Sequence, residues 1–219
     1  MTTQATPTVD TPRIPRIGEK VPDFTANSSK GPIKIADYKG KWLVFFSHPA
    51  DFTPVCTTEL SEFARRFPDF KKLNCELLGL SVDSVPSHIA WTRNIREKFG
   101  ISIEYPVIAD RDMKVARLFG MVHEPVSDTA TVRAVFFIDP NQTIRALIYY
   151  PLQNGRSVDE ILRVVQALQT TDSNQVSTPE GWRPGEDVIV PPPQTLEGAD
   201  KRVNEPYKVV DWYFSKKKI

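Results

Sequence analysis

The run Trp42-Leu43-Val44-Phe45-Phe46 constrains the fold more than any other part of the chain. Five consecutive apolar side chains point alternately to the two faces of a strand, so a strand made of them must be covered on both sides. It belongs inside a sheet flanked by helices. The next stretch is equally specific. After Ser47-His48-Pro49-Ala50-Asp51-Phe52 the pattern turns helical, with Leu60, Phe63, Ala64 and Phe67 on one face. Thr53 suits the N-cap, and Pro54 suits the first helical position, where its missing N–H would be unpaired anyway. Counting on from Thr53, Cys56 occupies the third helical position, where free backbone N–H groups surround the sulfur.

The rest of the chain repeats the alternation. Ile33 to Tyr38 reads as a short edge segment, separated from the central strand by a turn at Gly40, and Pro68 marks a break or kink in the Cys56 helix. Glu76 to Val82 is a second buried strand; Ser87 caps a helix holding Ile89, Ala90, Ile95 and Phe99, which Gly100 stops. Tyr105 to Ala109 is a third strand, leading through Asp110 into a helix with Met113, Ala116 and Phe119 that closes at Gly120. Ala134 to Ile138 and Thr143 to Tyr150, joined by Asp139-Pro140-Asn141-Gln142, form an antiparallel hairpin. A last helix starts at the capping box Ser157-Val158-Asp159-Glu160 and buries Val158, Ile161, Leu162, Val165 and Leu168. This order predicts an α/β protein of thioredoxin-like fold, a mixed central sheet flanked by helices, with a C-terminal extension. Residues 1–15, with Pro7, Pro12 and Pro15, read as a flexible tail, 16–170 as the main domain and 171–219 as the extension. The extension holds six of the 19 prolines and too few apolar residues for a core of its own. Its apolar pieces, Val188-Ile189-Val190 and Val209 to Phe214, are expected to pack on the main domain or on a second copy, most simply in a homodimer.

Charge and cysteine usage narrow the function. The net charge of +1 is spread evenly, and the terminal Lys216-Lys217-Lys218 reads as a solvated tail, so no nucleic-acid partner is expected. A mean hydropathy of -0.32, strand-sized apolar runs and the lack of an apolar stretch within Met1 to Arg16 predict no membrane partner and a cytoplasmic location. Cys56 and Cys75 are the two cysteines, and no Cys/His cluster is spaced for zinc, so neither metal nor other cofactor is expected. Cys75 stands at the entrance of a buried strand and reads as an inert apolar residue.

Cys56 is different because a cysteine is a nucleophile only as thiolate, and something must stabilise that anion. Helix N-terminal amides supply partial positive charge, and a guanidinium supplies a full one. Arg133 opens the strand that hydrophobicity places beside the central one, so its side chain can reach the strand end where Cys56 sits; Arg156, just before the capping box, is a second source. For each, a solvated surface arginine is the competing reading. His88 and His123 read as surface residues.

At these residues the sequence resembles a family. Pro49-x-x-x-Thr53-x-x-Cys56 is similar to the peroxiredoxin active-site signature, and Phe46-Ser47-His48-Pro49 to Cys56-Thr57-Thr58-Glu59-Leu60 resembles the one-cysteine, peroxiredoxin-6-type subfamily. The similarity continues through Leu78 to Ser84, Tyr105 to Asp110, Thr131 to Phe136 and Tyr150 to Arg163, and into Gly181-Trp182, Val188 to Pro192 and Asp211-Trp212-Tyr213-Phe214. The resemblance implies a thiol-dependent peroxidase. Cys56 would attack a hydrogen peroxide or organic hydroperoxide and become sulfenic acid. Thr53 would hydrogen-bond the peroxide, Arg133 would stabilise thiolate and leaving oxygen, and Pro49 would shield the thiolate. Glu59 would orient Arg133, Arg156 corresponds to the family's second arginine, and His48 to a histidine beside the pocket.

Two departures from the family matter. Many microbial relatives carry resolving cysteines where this chain has Val209 and Ser215, so a one-cysteine cycle completed by an external thiol reductant is expected. Vertebrate relatives have a phospholipase serine where Lys41 stands, so no fatty acid release from phosphatidylcholine is expected. Relatives also assemble dimers into rings, which makes a homodecamer the larger assembly to look for. The competing function is a peroxide sensor or redox-switched chaperone using the same cysteine. A disulfide reductase is disfavoured by the absence of a C-x-x-C pair.

Overall fold

The computed structural model describes residues 13–219, and most of the tail expected over 1–15 lies outside the described residues. The chain divides into two compact units, one ending at Arg156 and the other spanning Ser157–Ile219.

The first unit is built on a seven-stranded sheet. A hairpin of β1 (Thr25–Ser28) and β2 (Gly31–Lys34) precedes a 3-10 turn (Ile35–Tyr38) and the central strand β3 (Trp42–Ser47). Helix α1 (Pro54–Lys72) leads to β4 (Cys75–Ser81), α2 (Val85–Phe99) to β5 (Val107–Ala109), and α3 (Lys114–Leu118) to the hairpin β6 (Arg133–Ile138) and β7 (Ile144–Tyr150). The strand order is β2-β1-β5-β4-β3-β6-β7. β3 runs parallel to β4 and antiparallel to β6, so the sheet is mixed, as the alternation of elements predicts.

Every residue of β3 is buried, and its two faces serve two cores. Leu43 and Phe45 join Phe24, Val115, Ala116, Phe119 and Phe136 on one side, where the Phe45 and Phe119 rings meet edge to face at 5.0 Å. Phe46 faces the other way and stacks on Phe63 of α1 at 4.2 Å. Tyr105 closes that side, its hydroxyl donating to Leu60 O at 3.0 Å.

Several local expectations are corrected. α1 runs through Pro68 without a break, because the packing of Leu60, Phe63 and Phe70 outweighs the one backbone bond that proline removes. Helix α2 is capped by Ser84, whose hydroxyl accepts from Ser87 N, and not by Ser87. Its buried face is His88, Trp91 and Ile95; Ile89, Ala90 and Phe99 are exposed. Met113 is not helical but precedes α3 in the left-handed region at φ 57. The edge segment placed over 33–38 is the β1–β2 hairpin followed by the 3-10 turn. Residues 13–15, the end of the expected tail, lead into a segment tied to the sheet. Gly18 N donates to Ile144 O and Ile144 N to Glu19 O, while Arg13 donates twice to the Glu19 carboxylate. Gly120, at φ +59, lies so close to Ile14 that a side chain there would clash with its backbone at 2.9 Å.

The second unit begins with α4 (Val158–Asn174), in which Ser157 caps Glu160 N; the Glu160 carboxylate turns to Arg163 instead of closing the box. Val158, Ile161, Leu162 and Val165 are buried, as the spacing predicts, while Leu168 is only partly so. Val176, Trp182 and Val188 make a small cluster with Ala167. Strands β8 (Val188–Val190), β9 (Lys208–Asp211) and β10 (Phe214–Lys217), with α5 (Leu196–Arg202) between β8 and β9, form a three-stranded sheet of order β8-β10-β9. Val188 of the extension thus belongs to a cluster that includes Ala167 of α4, a residue inside the range 16–170. Ser215 is buried and pairs with Val190 on one side and Val209 on the other, so Val209 and Ser215 are cross-strand neighbours.

Candidate active site

Three elements converge at the C-terminal end of β3. α1 starts there, and because β6 is antiparallel to β3, its first residue, Arg133, lies at the same end of the sheet, two residues before Val135, the partner of Phe46. The loop after β7 brings Arg156. Cys56, at the third position of α1, and Glu59, three residues on, share a helix face.

These four groups form one buried chain of contacts. Arg133 Nη1 lies 3.3 Å from Cys56 Sγ and donates to Glu59 Oε2 at 2.6 Å. Arg156 grips the same carboxylate from the other side, with Nε on Oε1 and Nη2 on Oε2 at 2.8 Å each, and its backbone N–H on Oε1 at 2.7 Å. The remaining donors are used as well: Arg133 Nε and Nη2 go to Leu152 O, and Arg156 Nη1 to Ala134 O. The Arg156 guanidinium also lies 5.5 Å from the centre of the Phe46 ring. The side chains of Glu59, Arg133 and Arg156 are 2%, 3% and 1% exposed, so these charges interact with little water between them. Burial alone would raise the Glu59 carboxyl, but the hydrogen bonds and charge of Arg156, joined by Arg133, hold it below its ordinary value. Two cations and one anion leave one positive charge over, and the Cys56 sulfur sits against it.

Magnitudes decide what stabilises a thiolate here. A helix N-terminus contributes typically about 0.3–1 kcal/mol to a nearby anion. A full charge at the Arg133 distance gives about 5 kcal/mol of Coulomb energy at an effective dielectric near 20, before desolvation is subtracted. The guanidinium dominates.

Thr53 is the N-cap residue of α1 by backbone conformation, but its side chain makes no capping bond. Its hydroxyl donates to Ala50 O at 2.9 Å, which leaves the oxygen's lone pairs free to accept. Pro49 is buried. A surface pocket of about 820 Å³ is lined by Thr53, Pro54, Glu59 and Arg156, with Phe52, Trp91 and Phe99 as its apolar wall. Cys56 has no exposed surface, and Cys75 has almost none; both are free thiols. Burial pushes the Cys75 thiol well above its ordinary range, which fits an inert residue.

His48 is also fully buried, and its bonds run away from Cys56. Its Nε2 lies 3.0 Å from Asp51 Oδ1, and its Nδ1 is buried without a partner. Burial lowers its affinity for a proton more than Asp51 raises it. His88, expected at the surface, is fully buried: Nδ1 lies 2.8 Å from Asp51 Oδ2 and Nε2 3.0 Å from Ile108 O. His123 is partly buried, its ring stacked on Tyr149 at 5.4 Å. Sequence reasoning misses Asp51 and His88 as site residues, although the spacing of His88, Trp91 and Ile95 is that of a helix face. His48, Asp51 and Asp83 place ligand-type atoms within 4.8 Å of one another. Hydrogen bonds tie these three residues to one another and to Ser81, Ser87 and His88.

A sheet of this topology, with one cysteine at a helix N-terminus against a buried guanidinium, defines a thiol-based oxidoreductase of thioredoxin-like fold. Comparison with known proteins sharpens this. Residues 17–147 match the AhpC/TSA family, and 167–205 match the C-terminal domain of 1-Cys peroxiredoxin. Peroxiredoxin 2 of Picrophilus torridus is 56% identical over 197 residues, covering 90% of this chain and 96% of its own. The peroxiredoxin of Aquifex aeolicus is 53% identical over 94% of this chain and 98% of its own. Among solved structures, a yeast mitochondrial 1-Cys peroxiredoxin aligns with a TM-score of 0.84 at 40% identity, over 94% of this chain and 100% of its own. A cysteine-to-serine mutant of peroxiredoxin 6 from Arenicola marina aligns at 0.83 and 37%, over 93% and 97%. The chain belongs to the AhpC/TSA family and is a peroxiredoxin, a thiol-dependent peroxidase.

The Glu59 bridge sets an acid limit on the fold. Because its carboxyl titrates lower in the folded state than the 4.5 of an unfolded chain, the unfolded state takes up the proton first as pH falls. Its contribution is complete above that value and lost as pH falls through the folded one. Glu59→Gln, which leaves two guanidiniums uncompensated, is expected to cost about 3–5 kcal/mol at neutral pH and to flatten that acid limb. Urea denaturation from neutral to acid pH measures both; an unchanged profile contradicts the bridge.

Proposed function

We propose that Cys56 is the peroxidatic residue and that the reaction runs as a one-cysteine cycle on hydrogen peroxide and organic hydroperoxides. The thiolate attacks the terminal peroxide oxygen; an S–O bond forms as the O–O bond breaks, and the leaving oxygen takes a proton to depart as water or alcohol. Sulfur supplies the two electrons. The observation that carries this reading is the Arg133 guanidinium 3.3 Å from Sγ. In that position it serves both the thiolate and the negative charge that moves onto the leaving oxygen. Thr53, whose hydroxyl hydrogen is committed to Ala50 O, accepts the peroxide O–H. Pro49 shields the sulfur from water, and Glu59 and Arg156 hold Arg133 in place. His48 borders the site through the loop it shares with Asp51.

With Cys75 buried and Val209 and Ser215 in the C-terminal sheet, the sulfenic acid is resolved by an external thiol. The yeast relative's structure is described in terms of resolution through glutathione/thioredoxin systems, and a small thiol or a thiol protein is the class of reductant proposed here. The free cysteines fit a reducing compartment such as the cytoplasm, and no helix of the described residues is long and apolar enough to cross a membrane. Fractionation of the protein to an oxidising compartment would contradict that location.

The exposed Leu196, Val210, Trp212 and Tyr213 support association with a second copy of the chain, as a dimer or a ring of dimers. Sedimentation is expected to show a dimer or larger, and a monomer at micromolar concentration contradicts it.

Arg133→Met should lower the second-order rate of Cys56 oxidation by a factor on the order of 10²–10³. The thiolate fraction, read by ultraviolet absorbance at neutral pH, should fall with it. Stopped-flow mixing with peroxide measures the rate, and a variant as fast as the parent would sink the assignment. Repeated turnover with a supplied thiol separates an enzyme from a peroxide sensor, which would stop after one oxidation.

A further inference from the structure

We propose that His88 is a positioning residue of the peroxidatic loop, whose buried hydrogen bond to Asp51 fixes Phe52 and Thr53. The proposal rests on the reading of Thr53 as a peroxide-binding group. Its first support is an inventory of donors. His88 Nε2 lies 3.0 Å from Ile108 O, a carbonyl that can only accept, so Nε2 carries a proton. His88 Nδ1 lies 2.8 Å from Asp51 Oδ2, which already accepts from the Ser87 hydroxyl at 2.8 Å. Burial by itself would raise the Asp51 carboxyl, but hydrogen bonds from His48 and His88 overcome it and hold the group well below the usual carboxylate range. His88 thus links Asp51 to the backbone of β5.

The groups packed around the ring come from three elements. His88 faces Asp51 from the peroxidatic loop, and Asp83, after β4, lies behind Asp51 with its Oδ2 on Asp51 N at 2.9 Å. The other imidazole nearby, His48 just after β3, has its ring centre 6.3 Å away and is kept neutral by burial.

The consequence lies in the next two residues. Asp51 is held by the end of β3 through His48, by the end of β4 through Asp83, and by α2 through Ser87 and His88. Phe52 then adopts φ 56, a left-handed conformation that is unfavourable for a residue with a side chain. Such a conformation persists only where its surroundings over-determine it, and the anchored Asp51 does that. Thr53 follows directly, its hydroxyl on Ala50 O of the same loop. His88 therefore acts on Thr53 through Asp51 without touching the reacting atoms.

Kinetics on the full chain test this. In His88→Gln, Cys56 oxidation by hydrogen peroxide should slow by about tenfold to a hundredfold while the ultraviolet-read thiolate fraction stays at the parent value. An unchanged rate, or a rate lost in proportion to thiolate, overturns the positioning role. If His88→Gln does not fold, Ser87→Ala removes a donor to the same oxygen and is read by the same two signals. Failure of the peroxidase reading looks different: the parent itself would then not oxidise at Cys56.

Discussion

One carboxylate shared by two guanidiniums is the interaction on which the rest of the site depends. Glu59 alone would neutralise Arg133, and the sulfur would then face a balanced pair. Arg156 prevents this by donating three hydrogen bonds to the same carboxylate, so that a net positive charge is left in a nearly dry site. That surplus sits where Arg133 meets Cys56. The arrangement also explains why each arginine spends its other donors on backbone carbonyls: a buried guanidinium with idle N–H groups would be costly, and Leu152 O and Ala134 O remove that cost.

The sheet makes the interaction possible by its mixed directions. β3 and β4 are parallel, which carries the chain through α1 and puts the helix N-terminus at the end of β3. β6 is antiparallel to β3, which returns the start of β6 to that same end. A purely parallel neighbour would have placed Arg133 at the opposite edge. Ser47 locks the two strand ends together, its hydroxyl donating to Val132 O at 2.6 Å and accepting from Ala134 N at 3.1 Å.

Much of this is legible in the sequence because it depends on local rules. The apolar run of β3, the Pro54 helix start and the placing of Arg133 on the strand next to β3 follow from periodicity and strand adjacency, and the structure agrees with each. The parts that are not legible depend on partners distant in the chain. His88 looks like a surface residue until Asp51, 37 residues earlier, and Ile108 O, 20 residues later, are brought to it. Naming Ile89 and Phe99 among the apolar residues of α2 follows apolarity alone, whereas its buried face spends one of its positions on a histidine satisfied by a carboxylate and a carbonyl. Pro68 shows the same limit from the other side, since tertiary packing overrides a local helix breaker. The roles of Thr53, Pro49 and Glu59 come from the resemblance to a family; spacing by itself places Cys56 and offers Arg133 and Arg156 as charge partners.

The central claim is that one sulfur, Cys56, reacts with peroxide and that the buried guanidinium charge directs the reaction to it. The most direct measurement is the mass of the intact protein after one equivalent of hydrogen peroxide, for the parent and for Cys56→Ser. The parent should gain a single oxygen, located to the peptide containing Cys56, and the variant should gain none. Oxidation retained in Cys56→Ser, or a parent oxidised at Cys75, would contradict the account.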